Sequence, residues 1–331
     1  MARKKKSTTN IYLTYTAWSL AFIAVLVSTL FIGYYQGYED AKEEITKQAK
    51  LQEQKRLDAL KKLEELSAKK TEPDVNERLK EVLKKETPKY PDASHEYEDK
   101  AVVSVPKKEQ PIVKKAGAKP KLAIIIDDVS AKSHVRAIKS LQLPLTMSFL
   151  PPSPARPDSA VLASQESFYM VHLPMEAQSF SAEEPGTLRI NNSEEEIVKR
   201  IAERKELFPK VRYINNHTGS KFTADERAVN RLVFALKKHN INFIDSRTTA
   251  DTTVPKVMQN YGLEYVARDV FLDHEADKEY IKNQIKTAVK LAKSHGSAIA
   301  IGHPHANTIL ALRESKALLR EVDLVYVNKL Y

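Results

Sequence analysis

The sequence predicts an α/β protein: a distorted, incomplete (β/α) barrel of about seven strands, preceded by a transmembrane helix and a helical stalk. Three observations carry that expectation. An apolar run without formal charge lies near the N-terminus, and a charged segment free of Gly and Pro follows it. From residue 120 onward, short apolar runs then alternate with amphipathic, capped segments. Such alternation of strand and helix signals argues a mainly parallel sheet. A closed eight-unit barrel usually takes ~250 residues, so the 120–331 region is short for one.

Residues 1–10 form a basic tail with Arg3, Lys4, Lys5 and Lys6. Residues 11–35 carry no formal charge, and Leu20 to Val27 is wholly apolar, enough for a membrane anchor of ~20 residues. Tyr12, Tyr15 and Trp18 at one end, with Tyr34, Tyr35 and Tyr38 at the other, resemble interfacial aromatic belts. No Ala-x-Ala cleavage pattern follows, which favours an uncleaved anchor over a signal peptide. The basic flank predicts a single pass through the inner (cytoplasmic) membrane, N-terminus inside and the remainder periplasmic or otherwise extracytoplasmic. Residues 36–70, rich in Lys, Glu, Gln, Leu and Ala, read as a solvated helical stalk. Its heptad-like Ile45, Ala49, Leu63 and Leu66 are interrupted by Gln52 and Arg56, so a charged spacer is favoured over a homodimeric coiled coil. Residues 71–119, punctuated by Pro73, Pro88, Pro91, Pro106 and Pro111, have too few large apolar side chains to offset ordering and read as linker.

Composition narrows the chemistry. The 331 residues contain no cysteine, which excludes disulfide frameworks, thiolate metal sites and cysteine nucleophiles. A metal would have to be held by His and carboxylate. The net charge of +10 divides into +4 for residues 1–10, +2 for 36–120 and +4 for 121–331, too diffuse for a nucleic-acid face.

Within 120–331 the strand candidates are Leu122–Ile126, Leu145–Leu150, Phe168–Leu173, Val211–Ile214, Ile241–Ile244, Tyr265–Leu272, Ala298–Ile301 and Leu324–Val327. Ser193 with Glu196, and Thr223 with Glu226, have capping-box spacing, and a helix over Asp277–Ser294 is closed by Gly296. Polar residues collect where these strands end: Asp127-Asp128, His172 to Glu176, Asn215 to Ser220, Asp245-Ser246-Arg247, Asp273-His274 and Gly302-His303-Pro304-His305. In parallel α/β folds those ends converge on one face. Each feature alone has a plainer reading: Asp127-Asp128 as a turn capping a helix near Ala131, His172 and His217 as hydrogen-bonded core histidines, and His303-Pro304-His305 as a turn. Together, Asp128, His172 and His217 supply the Asp-His-His set of an open zinc site. Glu176, Asp245 and Asp273 read as orienting or salt-bridge partners, Arg247 as an ion-pair or substrate residue, and the Asn215 to Ser220 stretch as a holder of a polar ligand or a plain turn. Two carboxylates flanking a glycosidic bond are the rival pattern, with Asp127 beside Asp245 or Asp273, but the number of histidines fits metal chemistry better.

The motifs Ile126-Asp127-Asp128, His172-Leu173-Pro174-Met175-Glu176, Pro185-Gly186, Asn215 to Ser220, Asp245-Ser246-Arg247 and Gly302-His303-Pro304-His305, in this order, resemble the divergent polysaccharide deacetylase family, a relative of the NodB-like and YdjC-like deacetylases. The resemblance covers about residues 120–331 and implies a distorted (β/α) barrel with a divalent metal, zinc first. It implies metal ligation by Asp128, His172 and His217, with Asp127 as catalytic base and His303 (or else His305) as the acid. Asn216, Ser220, Asp245, Arg247 and His305 are implied as substrate-binding or supporting residues. The His-Ser/Thr-x-x-His motif of the common deacetylases is missing; one histidine from each of two strand ends is similar to the YdjC-like arrangement. The implied partner is an acetylated polysaccharide such as the peptidoglycan glycan. The alternative of another class is an inactive glycan-binding or scaffold protein of the same fold.

Overall fold

The computed structural model describes residues 119–180 and 182–330, together with Trp18. The sequence readings of basic tail, anchor, stalk and linker therefore lie outside the described residues, save for that tryptophan and Lys119. Among the described residues no helix is long and apolar enough to cross a membrane.

The chain order is β1 (Lys121–Val129), α1 (Lys132–Ser140), β2 (Thr146–Phe149), α2 (Ser159–Ser164), β3 (Met170–Met175), α3 (Glu194–Leu207), β4 (Tyr213–Thr218), α4 (Ser220–Ala224), α5 (Glu226–Lys238), β5 (Asn242–Ile244), α6 (Val254–Asn260), β6 (Val270–Phe271), α7 (Lys278–His295), β7 (Ser297–Gly302), α8 (Ala306–Glu314), α9 (Lys316–Leu319) and β8 (Asp323–Val325), closed by a 3₁₀ turn at Val327–Lys329. Every strand pairing is parallel, and the order across the sheet is β5-β4-β3-β2-β1-β7-β6. β8 pairs with the first residues of β1, Lys121–Ala123, below the stretch from Ile125 that pairs with β2. This is a curled half-barrel of seven parallel strands with a short added one.

Strand alternation sorts the core into two regions. Leu122, Ile124 and Ile126 of β1 pack in the larger cluster with Ile197 and Ile201 of α3, Leu232 of α5 and Ile285 of α7. Their neighbours Ala123 and Ile125 face inward, against Met170 of β3, Ile244 of β5, and Ile299 and Ile301 of β7. Strands β5 and β7 stand far apart in sheet order yet share this inner cluster, so the sheet must curl. A strand covered on both faces reads as an unbroken apolar run, which is why Ile124-Ile125-Ile126 was legible as buried.

Some local expectations needed correction. The Ser193–Glu196 capping box is present at α3, with both reciprocal bonds made. The pair Thr223–Glu226 is not one: Thr223 lies inside α4 and donates to the Gly219 carbonyl, while Asp225 caps α5 by accepting from the Ala228 amide. A short carboxylate two residues nearer the helix offers the same acceptor, and the sequence spacing alone did not separate them. The run Tyr265–Leu272 is strand only at Val270–Phe271. Its earlier part instead bridges Asp245 to Ala267, with the Asp245 amide donating to Val266 O and the Arg268 amide to Asp245 O. That bridge draws the end of β5 toward β6. Asp127 and Asp128 belong to β1, and α1 opens at Ala131 without a side-chain cap, so the helix-cap reading of the pair falls.

Candidate active site

The inward register of each strand continues upward from the apolar layer into polar residues. On β1, Asp127 follows Ala123 and Ile125; on β3, His172 follows Met170; on β4, Asn215 and His217 share the face of Tyr213. Parallel pairing sets His172 beside Asn215 and Pro174 beside His217, while Ile126 beside Gly302 leaves Asp127 next to His303.

Simple alternation would turn Asp128 outward. The backbone there takes the left-handed conformation, φ 55°, and the β1–β2 register shifts between Ile126 and Val129. Such a bulge re-aims one side chain, and Asp tolerates it better than a β-branched residue. Consecutive carboxylates therefore reach one site. Asp128 Oδ1 lies 3.0 Å from His217 Nδ1 and 3.5 Å from His172 Nε2, and Oδ2 lies 4.0 Å from His303 Nε2. The rings of His172 and His217 meet edge to face at 4.9 Å.

Asp127 is buried and accepts two hydrogen bonds from Asn215 Nδ2, at 3.0 and 2.8 Å. Asn215 is itself held by Ser148, whose hydroxyl donates to Oδ1 at 2.6 Å, and by Ser246 Oγ at 3.0 Å. On the opposite side, Asp273 orients His303: Oδ1 is 3.0 Å from Nδ1, and Oδ2 accepts from the His303 amide and the Thr308 hydroxyl, each at 2.6 Å. Phe271 packs edge-on to the His303 ring.

The electrostatics divide these groups by role. Burial pushes Asp127 up to about 7, against the pull of His303 and Asn215. Burial also works to raise Asp128, but the charge and hydrogen bond of His217, with His303 and His172 behind it, hold it well below the usual carboxylate range. Burial, reinforced by the positive His217, drives His172 down to about 3. Burial opposes a charge on His303 too, yet Asp273 more than compensates and raises it to about 10. Two carboxylates and two imidazoles are thus driven apart, as groups with different tasks are.

The donor set fits a divalent cation. One ligand atom from each of Asp128, His172 and His217 lies within 4.8 Å of the others. His172 is neutral, the form that binds a metal, and its Nδ1 is buried without a hydrogen bond, 3.6 Å from Asp127 Oδ2.

The remaining sequence candidates are placed less centrally. Asn216 turns to the Ser246 amide and the Thr218 carbonyl, and the Ser220 hydroxyl accepts from the Gln178 amide. Asp245 accepts from the Arg247 amide, Thr252 and Tyr265. Arg247 is buried with a left-handed backbone, φ 52°. His305 caps α8 by position, 5.6 Å ring to ring from His303. Asn215 belongs to the polar stretch the sequence marks, but Asn216 was the residue singled out there. Its signal was alternation: it shares parity with His217, and Asn216 does not.

Gly219 is required where it stands. It follows Thr218 at φ 53° with φ 93° of its own, and a Cβ there would sit 2.9 Å from Met175 Cβ. Gly219→Ala is expected to destabilise the full chain by about 1–3 kcal/mol, read as a lower urea midpoint. An unchanged midpoint would show that the turn relaxes freely.

An open parallel (β/α) barrel carries a buried carboxylate–imidazole cluster at its strand ends, with a donor set that could hold a divalent cation. Residues 124–331 match the family described as divergent polysaccharide deacetylase, and the chain belongs to that family. Among curated proteins it is similar to an uncharacterized protein of Haemophilus influenzae, 33% identical over 219 residues, covering 65% of this chain and 78% of that protein. It is also similar to the uncharacterized protein YibQ of Escherichia coli, 34% identical over 196 residues, covering 59% of this chain and 61% of that protein. Among solved structures, an uncharacterized protein of Agrobacterium tumefaciens C58 has a similar fold, with TM-score 0.54 and 18% identity over 65% of this chain and 91% of that one.

Proposed function

We propose that the chain is a metal-dependent hydrolase that removes acetyl groups from an N-acetylated cell-envelope polysaccharide. The observation that carries this reading is the meeting of Asp128, His172 and His217 beside Asp127, with the Asp273–His303 pair facing them. Asp128, His172 and His217 would hold the cation, zinc by donor type. When bound, it supplies Lewis acidity, lowering the pKa of a water toward ~7 and polarising the acetyl carbonyl.

This chain's own residues manage the protons. Asp127, steadied by Asn215, accepts a proton from the attacking water as its oxygen joins the acetyl carbon. His303 carries a proton at neutral pH and points Nε2 toward the cluster, since Asp273 takes Nδ1. As the C–N bond breaks, that proton passes to the departing nitrogen, leaving a free amine and acetate. The apolar run in residues 11–35 behind a basic tail supports a domain tethered outside the cytoplasmic membrane, close to such a glycan.

The test is acetate release from N-acetylglucosamine oligomers and peptidoglycan fragments by the zinc-loaded full chain. Release that follows metal content is expected. No release from any acetylated glycan at full metal content would overturn catalysis and leave an inert glycan-binding protein. Asp273→Asn should separate positioning from folding. Without that carboxylate the largest upward pull on His303 is gone and burial is opposed only by Asp128 and Asp127, so its pKa falls from about 10. The alkaline limb of the kcat/KM profile should move to lower pH, with loss confined largely to kcat. An unmoved limb would remove His303 from the acid role.

A further inference from the structure

A second group of metal-ligating side chains stands next to the first. One ligand atom from each of Asp273, His303 and His305 lies within 4.8 Å of the others. The three come from the loop after β6 and the turn between β7 and α8, and the rings of His303 and His305 are inclined at only 33°. Asp273 spends Oδ2 on the His303 amide and the Thr308 hydroxyl, which fixes the carboxylate and leaves Oδ1 directed at His303 Nδ1, 3.0 Å away. Tetrahedral zinc with ligands at ~2.0–2.1 Å needs donor–donor edges of roughly 3.3 Å, so this edge is already near the required length. Asp273 and His303 are buried while His305 is partly exposed, which opens the group to solvent on one side.

We propose that Asp273, His303 and His305 form a second zinc-class cation site, weaker than the first, whose filling stops turnover. The weakness has two sources. His305 stands at the N-terminus of α8, where the helix dipole disfavours a cation. A cation must also displace the proton His303 shares with Asp273. The inhibitory part rests on the reading of His303 as the acid: a ring whose Nδ1 holds a cation cannot be an imidazolium, and its remaining Nε2–H is a far weaker acid toward the departing amine.

The experiment is zinc stoichiometry, measured on the full chain in detergent by equilibrium dialysis across rising zinc concentration, with no substrate present. The two sites predict two equivalents for the wild type, the weaker of them lost in His305→Ala and in the milder His305→Asn, and the tighter lost in His172→Ala. Melting curves for each variant check that the fold persists. The site is overturned if the wild type takes up one equivalent that only His172→Ala removes, or if both His305 variants keep two. One equivalent lost in the His305 variants but kept in His172→Ala would sustain this site and sink the deacetylase reading instead. In activity assays, inhibition should set in with the second equivalent; inhibition unchanged in His305→Asn would overturn the inhibitory part.

Discussion

Asp127→Asn is expected to lower acetate release by about 10²–10⁴-fold, the usual worth of a positioned proton acceptor, while zinc content stays that of the wild type. Asparagine keeps the shape of the side chain and can still accept from Asn215, but it cannot take a proton from water. The same change probes stability. Burial raises Asp127 in the folded chain to about 7 from an ordinary 3.8. A raised carboxylate is most stable where it is protonated, so its contribution is whole below pH 3.8 and drains away as pH climbs to about 7. In chelator-treated protein, wild type should therefore lose stability relative to Asp127→Asn across that interval and run parallel to it above. Urea midpoints across the pH range measure this. Wild-type activity in the variant would remove Asp127 from the reaction, and a flat stability difference would show that its charge is solvated after all.

His217→Ala should abolish acetate release and with it the zinc retained through dialysis. Asp128 is held in its charged form chiefly by His217, at 3.0 Å, so the change removes a ligand and also loosens the partner ligand. Breaking a buried pair by deleting one member costs about 3–5 kcal/mol, less here because Asp128 keeps some solvent contact, and loss of fold is the competing explanation. His217→Gln separates the two: it fills the space and can hydrogen-bond Asp128, so it should melt near wild type yet lose the metal. The tighter zinc equivalent retained by a folded His217→Gln, with full activity, would dismiss this residue as a ligand.

Much of the barrel could be read from the chain because buried parallel strands need apolar runs and their helices need an apolar stripe. All eight strand candidates overlap observed strands. Boundaries were harder where hydrogen bonding, not hydrophobicity, ends a strand, as at Tyr265–Leu272, where residues 266–268 leave one neighbour to bridge Asp245. At the site, His172 and His217 could be seen as polar interruptions of apolar strands. Asn215 hid beside Asn216, since two identical neighbours differ only in the face they take. Asp273 could be seen but its service to His303 could not, because thirty residues of chain separate them.

By itself the amino-acid order determined where strands lie, that six of the eight end in Asp, His or Asn, and that any metal chemistry must proceed without thiolate. Those are local properties, set by side-chain hydrophobicity over a few residues. Only the folded chain decided that β1, β3, β4 and β7 deliver their ends to one place, and that a left-handed residue at Asp128 turns two successive carboxylates inward together. Both depend on sheet register and curl. Those arise from hydrogen bonds between segments distant in sequence, and no single segment carries them.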